Sequence, residues 1–208
     1  MTDTVERRTR PYAPRMAPEE RREQLLDAVL RVIVKQGVHK VSMDSVAKEA
    51  GVTRPVVYGH FADSAELLRA SLVREEQAAL AQLATVLPAM DGGSPAEVAI
   101  ESLAKFLSAV REAPERWQAI FSLVDSSTPE FRARVAAGQK LVIGAFEQII
   151  RWAMTDGLDP ATDVEMLARA LFALFWDAGR LVLAEPETFP AERIVAFGRQ
   201  TIERYLQQ

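Results

Sequence analysis

Arg54 is the residue whose type and position best suit chemistry on another molecule. It lies three positions after Gly51, and the apolar pair Pro55 and Val56 follows it directly. A guanidinium can donate two parallel hydrogen bonds to the O6 and N7 atoms of guanine, and apolar side chains suit the methyl group of thymine. An isolated arginine is more often a solvated surface charge, so this chemistry depends on the element that carries Arg54.

The elements around Arg54 are predicted to be two short helices joined by a tight turn. Ser42 starts the first, Gly51 supplies the positive φ that ends it, and Thr53 starts the second, with its hydroxyl expected to cap that helix. These are the size and spacing of a helix-turn-helix, whose second helix enters the major groove of DNA. Helical hairpins are also common packing units, so the spacing alone is a weak signal.

Other chemistries find little support in the sequence. The chain has no Cys and only two His, His39 and His60, which argues against thiolate metal sites and His-rich clusters. No Ser–His–Asp set or Gly-rich phosphate loop follows residue 65, so we expect neither an enzyme nor a cofactor. A small helical enzyme is the competing interpretation from another class, and turnover of an added compound would reveal it.

Nearly every segment after residue 17 has helical period, which predicts an all-α fold. It comprises an N-terminal three-helix unit with the helix-turn-helix and a larger C-terminal helical bundle. We assign residues 1–17 to a flexible basic arm, 18–64 to a DNA-binding domain, and 65–208 to a ligand-binding and dimerisation domain. Helix start signals predict nine helices, beginning at Pro18, Ser42, Thr53, Asp63, Ser94, Pro114, Thr128, Asp159 and Phe189.

Charge is distributed unevenly along the chain. Residues 1–64 hold eleven Lys and Arg against nine Asp and Glu, whereas residues 65–208 hold fourteen against twenty. A basic front can approach phosphate while an acidic remainder is kept away from it. The arm arginines, Arg7, Arg8, Arg10 and Arg15, either reach a minor groove or belong to a disordered tail. Without a signal peptide or a long apolar run, a cytoplasmic location is expected.

The string SMDSVAKEAGVTRPVVYGHF, from Ser42 to Phe61, resembles the DNA-binding signature of the TetR family of bacterial repressors. The matching positions are Ala47, Ala50, Gly51, Val52, Thr53, Val57, Tyr58, His60 and Phe61, while Ser42 conservatively replaces Thr. The resemblance covers roughly residues 20 to 70, and beyond them only helix number and length are similar. It implies transcriptional regulation by a homodimer bound to DNA, and it leaves the ligand open.

The resemblance also places individual residues. Tyr58 and His60 fall where the family contacts phosphate, although both could be half-buried packing residues. Ser64 departs from the family's lysine, which implies a weaker phosphate contact. Gly59 is expected inside an exposed helix, at a cost of about 1 kcal/mol relative to Ala. The predicted DNA-binding residues are Ser42, Lys48, Thr53, Arg54, Pro55, Val56, Tyr58, His60 and Ser64.

Aromatic and apolar residues concentrate in the larger domain, where a packed core is the ordinary explanation. The resemblance adds a ligand pocket between the fifth and eighth helices, and we expect a cavity of a few hundred cubic ångströms beside Trp117. Its predicted lining is Phe106, Trp117, Gln118, Phe121, Phe146, Trp152 and Trp176, with Asp125 nearby.

The last two long helices are predicted to form a dimer interface, because their apolar faces exceed what a monomer core needs. The interface residues are Leu167, Leu171, Leu174, Ala178, Leu181, Ile194, Phe197, Thr201 and Tyr205. The small residues Ala170, Ala173, Gly179 and Gly198 are expected to permit close helix approach.

The sequence therefore predicts a homodimeric repressor that a small, mainly apolar ligand releases from a palindromic operator. The alternative is a helix-turn-helix DNA-binding protein without a small-molecule inducer. Protection of one operator and its release by a ligand would favour the first interpretation. Salt-sensitive binding without sequence preference would favour the second.

Overall fold

The computed structural model describes residues 16–86, 93–123 and 129–206. Within these ranges the chain forms nine α-helices and one short 3-10 turn, Val38–Lys40, and no strand. The helices are α1 (Pro18–Gln36), α2 (Met43–Ala50), α3 (Arg54–Tyr58), α4 (Ser64–Val86), α5 (Pro95–Glu112), α6 (Pro114–Leu123), α7 (Pro129–Thr155), α8 (Val164–Ala184) and α9 (Ala191–Leu206). The predicted all-α fold is confirmed. The arm arginines and Asp125 lie outside the described residues.

Most helix ends follow the predicted signals. The side-chain oxygens of Ser42, Asp63 and Ser94 accept the backbone N–H of Ser45, Glu66 and Glu97 at 3.1, 2.8 and 3.3 Å. Gly59 differs from the prediction, because α3 ends at Tyr58 and Gly59 follows it with φ −67°. The cost of a glycine inside a helix therefore does not apply there.

The start of α8 was predicted four residues too early. Asp159 accepts a hydrogen bond from the backbone N–H of Ala161 at 2.8 Å and so closes a turn. Asp163 caps α8 instead, accepting from the N–H of Met166 at 3.0 Å. Both aspartates are suitable caps, and only Asp163 is followed directly by the apolar periodicity of the helix.

Buried apolar side chains form three clusters. The front core joins α1, α2 and α3 to the start of α4, and comprises Leu25, Leu26, Ala28, Val29, Leu30, Val32, Ile33, Met43, Val46, Ala47, Val57, Phe61, Leu67, Leu72 and Ala119 of α6. The middle core comprises Ala79, Val86, Leu103, Phe106, Leu107, Ala109, Val110, Trp117, Ala178 and Val182. The rear core comprises Val98, Phe146, Ile149, Ile150, Leu158 and Ala168. Helices α4 and α6 thus contribute to both the front and the middle core.

Candidate nucleic-acid interface and apolar cavity

A left-handed glycine sets the angle between α2 and α3. Gly51 has φ 68° and ψ 30°, a conformation that a Cβ disfavours. The N–H of Val52 donates to the carbonyl oxygen of Ala47 at 3.0 Å and closes the turn. Val46 and Val57 are fully buried and bring both helices into the front core. The predicted helix-turn-helix hairpin is confirmed.

Polar contacts fix the hairpin to α1. Glu49 of α2 accepts hydrogen bonds from Lys35 at 2.8 Å and Arg31 at 3.0 Å. These two cations, Lys35 first, hold the pKa of Glu49 below its ordinary value. The side-chain amide of Gln24 also donates to the carbonyl oxygen of Ala50 at 3.2 Å, at the end of α2. α1 therefore holds α2 at two points.

One side of α3 faces solvent. Thr53, Arg54, Pro55 and Tyr58 are exposed, the last by 46%, whereas Val56 is half-buried. Of the five residues of α3, three are exposed, one is half-buried and one is buried. The helix therefore presents a small surface, as a helix entering a groove requires.

Arg54 is held in place by two neighbours. Its Nη2 donates to the hydroxyl oxygen of Tyr58 at 3.0 Å, and its guanidinium lies 5.4 Å from the centre of the Tyr58 ring. Its Nη1 lies 3.4 Å from Oδ2 of Asp44, in the first turn of α2. The hydrogen bond to Tyr58 and then the charge of Asp44 raise the pKa of Arg54. The sequence pattern alone did not indicate this contact between α2 and α3.

Thr53 occupies the capping position of α3, but its side chain makes no capping hydrogen bond. The cause is Pro55, the second helical residue, which has no N–H to donate. The next N–H, of Val56, bonds to the Thr53 carbonyl oxygen at 3.0 Å. The predicted capping role of the hydroxyl is therefore wrong. That hydroxyl is exposed beside Arg54.

The remaining predicted DNA-binding residues lie at the edges of this surface. Lys48 is exposed in the last turn of α2, His60 is half-buried after α3, and Ser64 is the half-buried first residue of α4. Ser42 is half-buried and its Oγ is engaged with Ser45. Its capping role leaves it less able to contact another molecule than the exposed side chains of α3.

An apolar cavity of about 130 Å³ lies between the front and middle cores. Its wall includes Leu72 and Ala119 from the front core and Ala79, Phe106 and Trp117 from the middle core. α7 and α8 supply the opposite wall, through Val135, Gly138, Gln139, Val142, Phe172, Phe175 and Trp176. The position beside Trp117 agrees with the prediction, whereas the volume is below the expected few hundred cubic ångströms.

Phe106, Trp117 and Trp176 line the cavity as predicted, and four other predicted residues do not. Phe146 is 2% exposed and packs in the rear core against Phe175, with ring centres 4.8 Å apart. Trp152 packs against the same core. Phe121 lies behind the wall, between Trp117 and Trp176, and Gln118 is also outside the lining. The helical stripe in the sequence identified core aromatics without showing which of them border a cavity.

A buried carboxylate beside the cavity connects three helices. Glu75 of α4 is 3% exposed. It accepts hydrogen bonds from Arg74 at 2.8 Å and from Arg116 of α6 at 2.7 Å. Arg74 also contacts Glu23 and Asp27 of α1, each at 2.8 Å. Sequence reasoning missed this cluster, although a signal existed, because Glu75 interrupts the apolar stripe of α4 between Leu72 and Ala79.

Trp117 is held by the same group of residues. Its indole N–H donates to Oε1 of Gln82 at 3.3 Å, and Arg116 donates to that oxygen at 3.1 Å. The second charged pair at the cavity is Glu76 of α4 with Arg134 of α7, 2.6 Å apart. Each charged residue that lines the cavity is therefore already in an ion pair.

The outer faces of α8 and α9 carry exposed apolar residues. Leu174 is 57% and Phe197 65% exposed, and Thr201 is also exposed. Leu181 is half-buried, Leu167 and Leu171 pack on the rear core, and Ile194 packs on the middle core. Ala178 is 6% exposed in the middle core, so its assignment to an outer interface is wrong. The side chain of Tyr205 lies outside the described part of the chain.

Two glycines expected to allow close approach of a second subunit instead serve packing inside the chain. A Cβ on Gly179 would lie 2.8 Å from the Phe121 ring, and one on Gly198 would lie 3.0 Å from Leu103. Ala170 and Ala173, by contrast, are exposed on α8 beside Leu174.

No helix in the described ranges is long and apolar enough to cross a membrane. The described residues also contain no group of three or more His, Cys, Asp or Glu that could hold a metal ion.

Comparison with known proteins agrees with this geometry. Residues 25–71 match the family described as bacterial regulatory proteins, tetR family. The HTH-type transcriptional activator FasR of Mycolicibacterium smegmatis is 29% identical over 167 residues, which are 80% of this chain and 74% of that protein.

Two solved structures share the fold. A TetR-like transcriptional regulator from Rhodococcus sp. RHA1 has a TM-score of 0.76 at 22% identity, covering 93% of this chain and 99% of that one. A putative fatty acid metabolism regulator from Clostridium perfringens has a TM-score of 0.69 at 15% identity, covering 88% and 97%. Residues 25–71 therefore form a DNA-binding domain of the tetR family, and the described helices have the fold of TetR-like transcriptional regulators.

Proposed function

We propose that the protein is a homodimeric repressor that a small, uncharged, mainly apolar ligand releases from a palindromic operator. The observation that carries the proposal is the position of the cavity, because its wall contains side chains of both the front core and the middle core. A ligand in the cavity directly contacts side chains that pack in the core of the DNA-binding unit. The protein acts in the cytoplasm, where the operator lies.

Operator contacts are assigned to the exposed side of α3 and its edges. Arg54 reads a guanine, Pro55 and Val56 contact thymine methyl groups, and Thr53 contacts phosphate. The Tyr58 hydroxyl accepts from Arg54 and retains its own hydrogen for a phosphate oxygen. Lys48, His60 and Ser64 supply phosphate contacts at the edges, and Ser42 contributes through its helix cap. In this assignment residues 18–64 bind DNA and residues 65–208 bind ligand and dimerise.

The dimer is assigned to the outer faces of α8 and α9. Leu174 and Phe197, like Met166 nearer the start of α8, are large exposed apolar side chains on these helices, and Ala170, Ala173, Leu181 and Thr201 are the smaller or half-buried members of the proposed interface. A two-fold pairing of both helices buries these side chains in a four-helix interface. The α3 helices of the two subunits then face adjacent major grooves, related by the same two-fold symmetry. The operator is therefore expected to be palindromic.

The ligand is inferred to be uncharged because each charged residue lining the cavity already has a partner. Glu75 is paired with Arg74 and Arg116, and Glu76 with Arg134. A charged ligand would have to break one of these pairs or remain unpaired in an apolar site, and both are costly. An apolar cavity of about 150 Å³ in another protein binds benzene. A volume of about 130 Å³ therefore fits one small ring or a short aliphatic chain.

Release follows from the helices that the cavity shares with the DNA-binding unit. A ligand that contacts Trp117 and Glu75 displaces α6 and α4, the helices that carry Arg116 and Arg74. Arg74 is in turn paired with Glu23 and Asp27 on α1. A ligand that binds the displaced arrangement more tightly by about 1.4 kcal/mol lowers operator affinity tenfold.

The small volume of the cavity favours a second candidate, a DNA-binding regulator without an inducer. The relative from M. smegmatis is named an activator, so the direction of regulation also has to be measured.

Selection from a randomised duplex library gives the operator, and fluorescence anisotropy measures the affinity of the protein for that duplex. Benzene, toluene and short alcohols are then added. We expect one of them to lower operator affinity and raise the melting temperature, whereas no response would favour the second candidate.

A further inference from the structure

Asp44 is an acidic side chain on the surface assigned to DNA. It lies in the first turn of α2 and is 67% exposed. A carboxylate facing a polyanion opposes binding. Its position at a helix start contributes a small stabilisation through the helix dipole, but this does not require the contact that the carboxylate makes with Arg54. The helix-turn-helix turn brings Asp44 within 3.4 Å of the Arg54 guanidinium.

Arg54 is thereby held at both ends of its planar group. Nη1 faces Asp44, while Nη2 donates to the Tyr58 hydroxyl at 3.0 Å. Each of these nitrogens has a second hydrogen, and Nε–H is also available, so the group can still donate two parallel bonds. A guanidinium that is already oriented loses less conformational freedom when it binds.

We propose that Asp44 is a positioning residue that directs Arg54 toward base edges and keeps it from pairing with phosphate. The proposal rests on the proposed function, in which Arg54 reads a base. The carboxylate competes with phosphate for Nη1 on every DNA sequence. That competition is offset only where a base accepts the remaining donors of Arg54. Asp44 therefore weakens binding to unrelated DNA more than binding to the operator.

The test compares full-length Asp44→Asn with wild type on the randomised duplex library and on single-base variants of the selected duplex. We expect base discrimination at one position per half-site to fall by up to about fivefold, the upper range for an exposed ion pair. Affinity for unrelated duplex should rise, and the salt slope should steepen by about one per subunit, because each freed Arg54 contacts a phosphate. Glu19→Gln is the matched control. It also neutralises an exposed first-turn acid, on α1, and should leave base discrimination unchanged.

A double variant separates this proposal from the function on which it rests. If Asp44 acts through Arg54, then Asp44→Asn in an Arg54→Ala background has no further effect on base preference. Unchanged discrimination in Asp44→Asn, with discrimination lost in Arg54→Ala, overturns the proposal and leaves the proposed function intact. Unchanged discrimination in Arg54→Ala overturns the assignment of Arg54 itself. An equal loss in Glu19→Gln shows a general charge effect and also overturns the role of Asp44.

Discussion

The front unit, α1 to α3 with the preceding Met16, and the part of the chain from α4 onward differ in how their cores are arranged. The front unit has one continuous core, and its exposed large apolar side chains in the described ranges are Met16 and Tyr58. From α4 onward there are two cores, a cavity, and five such side chains, namely Leu80, Leu141, Met166, Leu174 and Phe197. The front unit is thus built to present one fixed surface. The remainder has interfaces that another molecule can fill.

The largest expected effect tests whether a second subunit covers part of the exposed apolar surface of α8 and α9. Leu174→Glu combined with Phe197→Glu should convert the proposed dimer to folded or partly unfolded monomers. Unpaired carboxylates in a buried interface cost about 3–5 kcal/mol. Light scattering gives the mass, and circular dichroism gives the fold.

Leu141→Glu is the matched control for the interface. Leu141 is on α7 and is 65% exposed, the same fraction as Phe197. The control should remain dimeric. A dimeric Leu174→Glu and Phe197→Glu double variant, or a monomeric Leu141→Glu variant, would move the interface to another face.

The second prediction concerns the junction between the two regions. Glu75→Ala leaves Arg74 and Arg116 without their shared buried partner and should lower the free energy of unfolding by about 3 kcal/mol. Denaturant unfolding measures this loss. Glu101→Ala removes an exposed pair with Lys105 and should cost less than about 0.5 kcal/mol. Similar losses in both variants would show that the two regions are not joined through Glu75.

The third prediction distinguishes the cavity from the rest of α7. Gly138 and Gly144 both have space for a Cβ, and only Gly138 lines the cavity. Gly138→Ala and Gly144→Ala should each stabilise the protein by about 0.5–1 kcal/mol through helix propensity. Gly138→Leu should also abolish the rise in melting temperature caused by an apolar ligand, and Gly144→Leu should not. Loss of that response in both variants would place the ligand elsewhere.

The smallest expected effect is a pH dependence in the front unit. The pKa of Glu49 is lowered by Lys35 and then Arg31. Its folded-state pKa thus lies below its unfolded value, so the stabilisation is complete above the ordinary carboxyl range and is lost as the pH falls through the folded pKa. Wild type should lose more unfolding free energy than Glu49→Gln between neutral and acidic solution. If both proteins lost the same unfolding free energy, the contacts of Glu49 would make no net contribution to stability.

Residues that act through their own backbone could be predicted from the sequence. Ser42, Asp63 and Gly51 end or begin helices because of local hydrogen bonds and allowed φ values. Prediction failed where two local signals competed, as for Asp159 and Asp163, or where a neighbour removed the partner, as Pro55 does for Thr53. Cavity residues were harder still. Whether Phe146 or Val142 borders empty space depends on how α7 rotates against α8, and helical periodicity does not specify that rotation to within one side chain.

Ala119 limits how far this regulator can be treated as modular. It belongs to α6, yet it is 1% exposed within the core of the DNA-binding unit. A chimera joined after residue 64 would combine the DNA-binding unit of one regulator with the remaining helices of another. It would therefore place a foreign side chain in that core. An incoming residue larger than alanine would overpack it, at about 1–3 kcal/mol. Substitutions meant to exchange DNA specificity should therefore keep each DNA-binding unit together with its own α6, or be confined to the exposed side of α3.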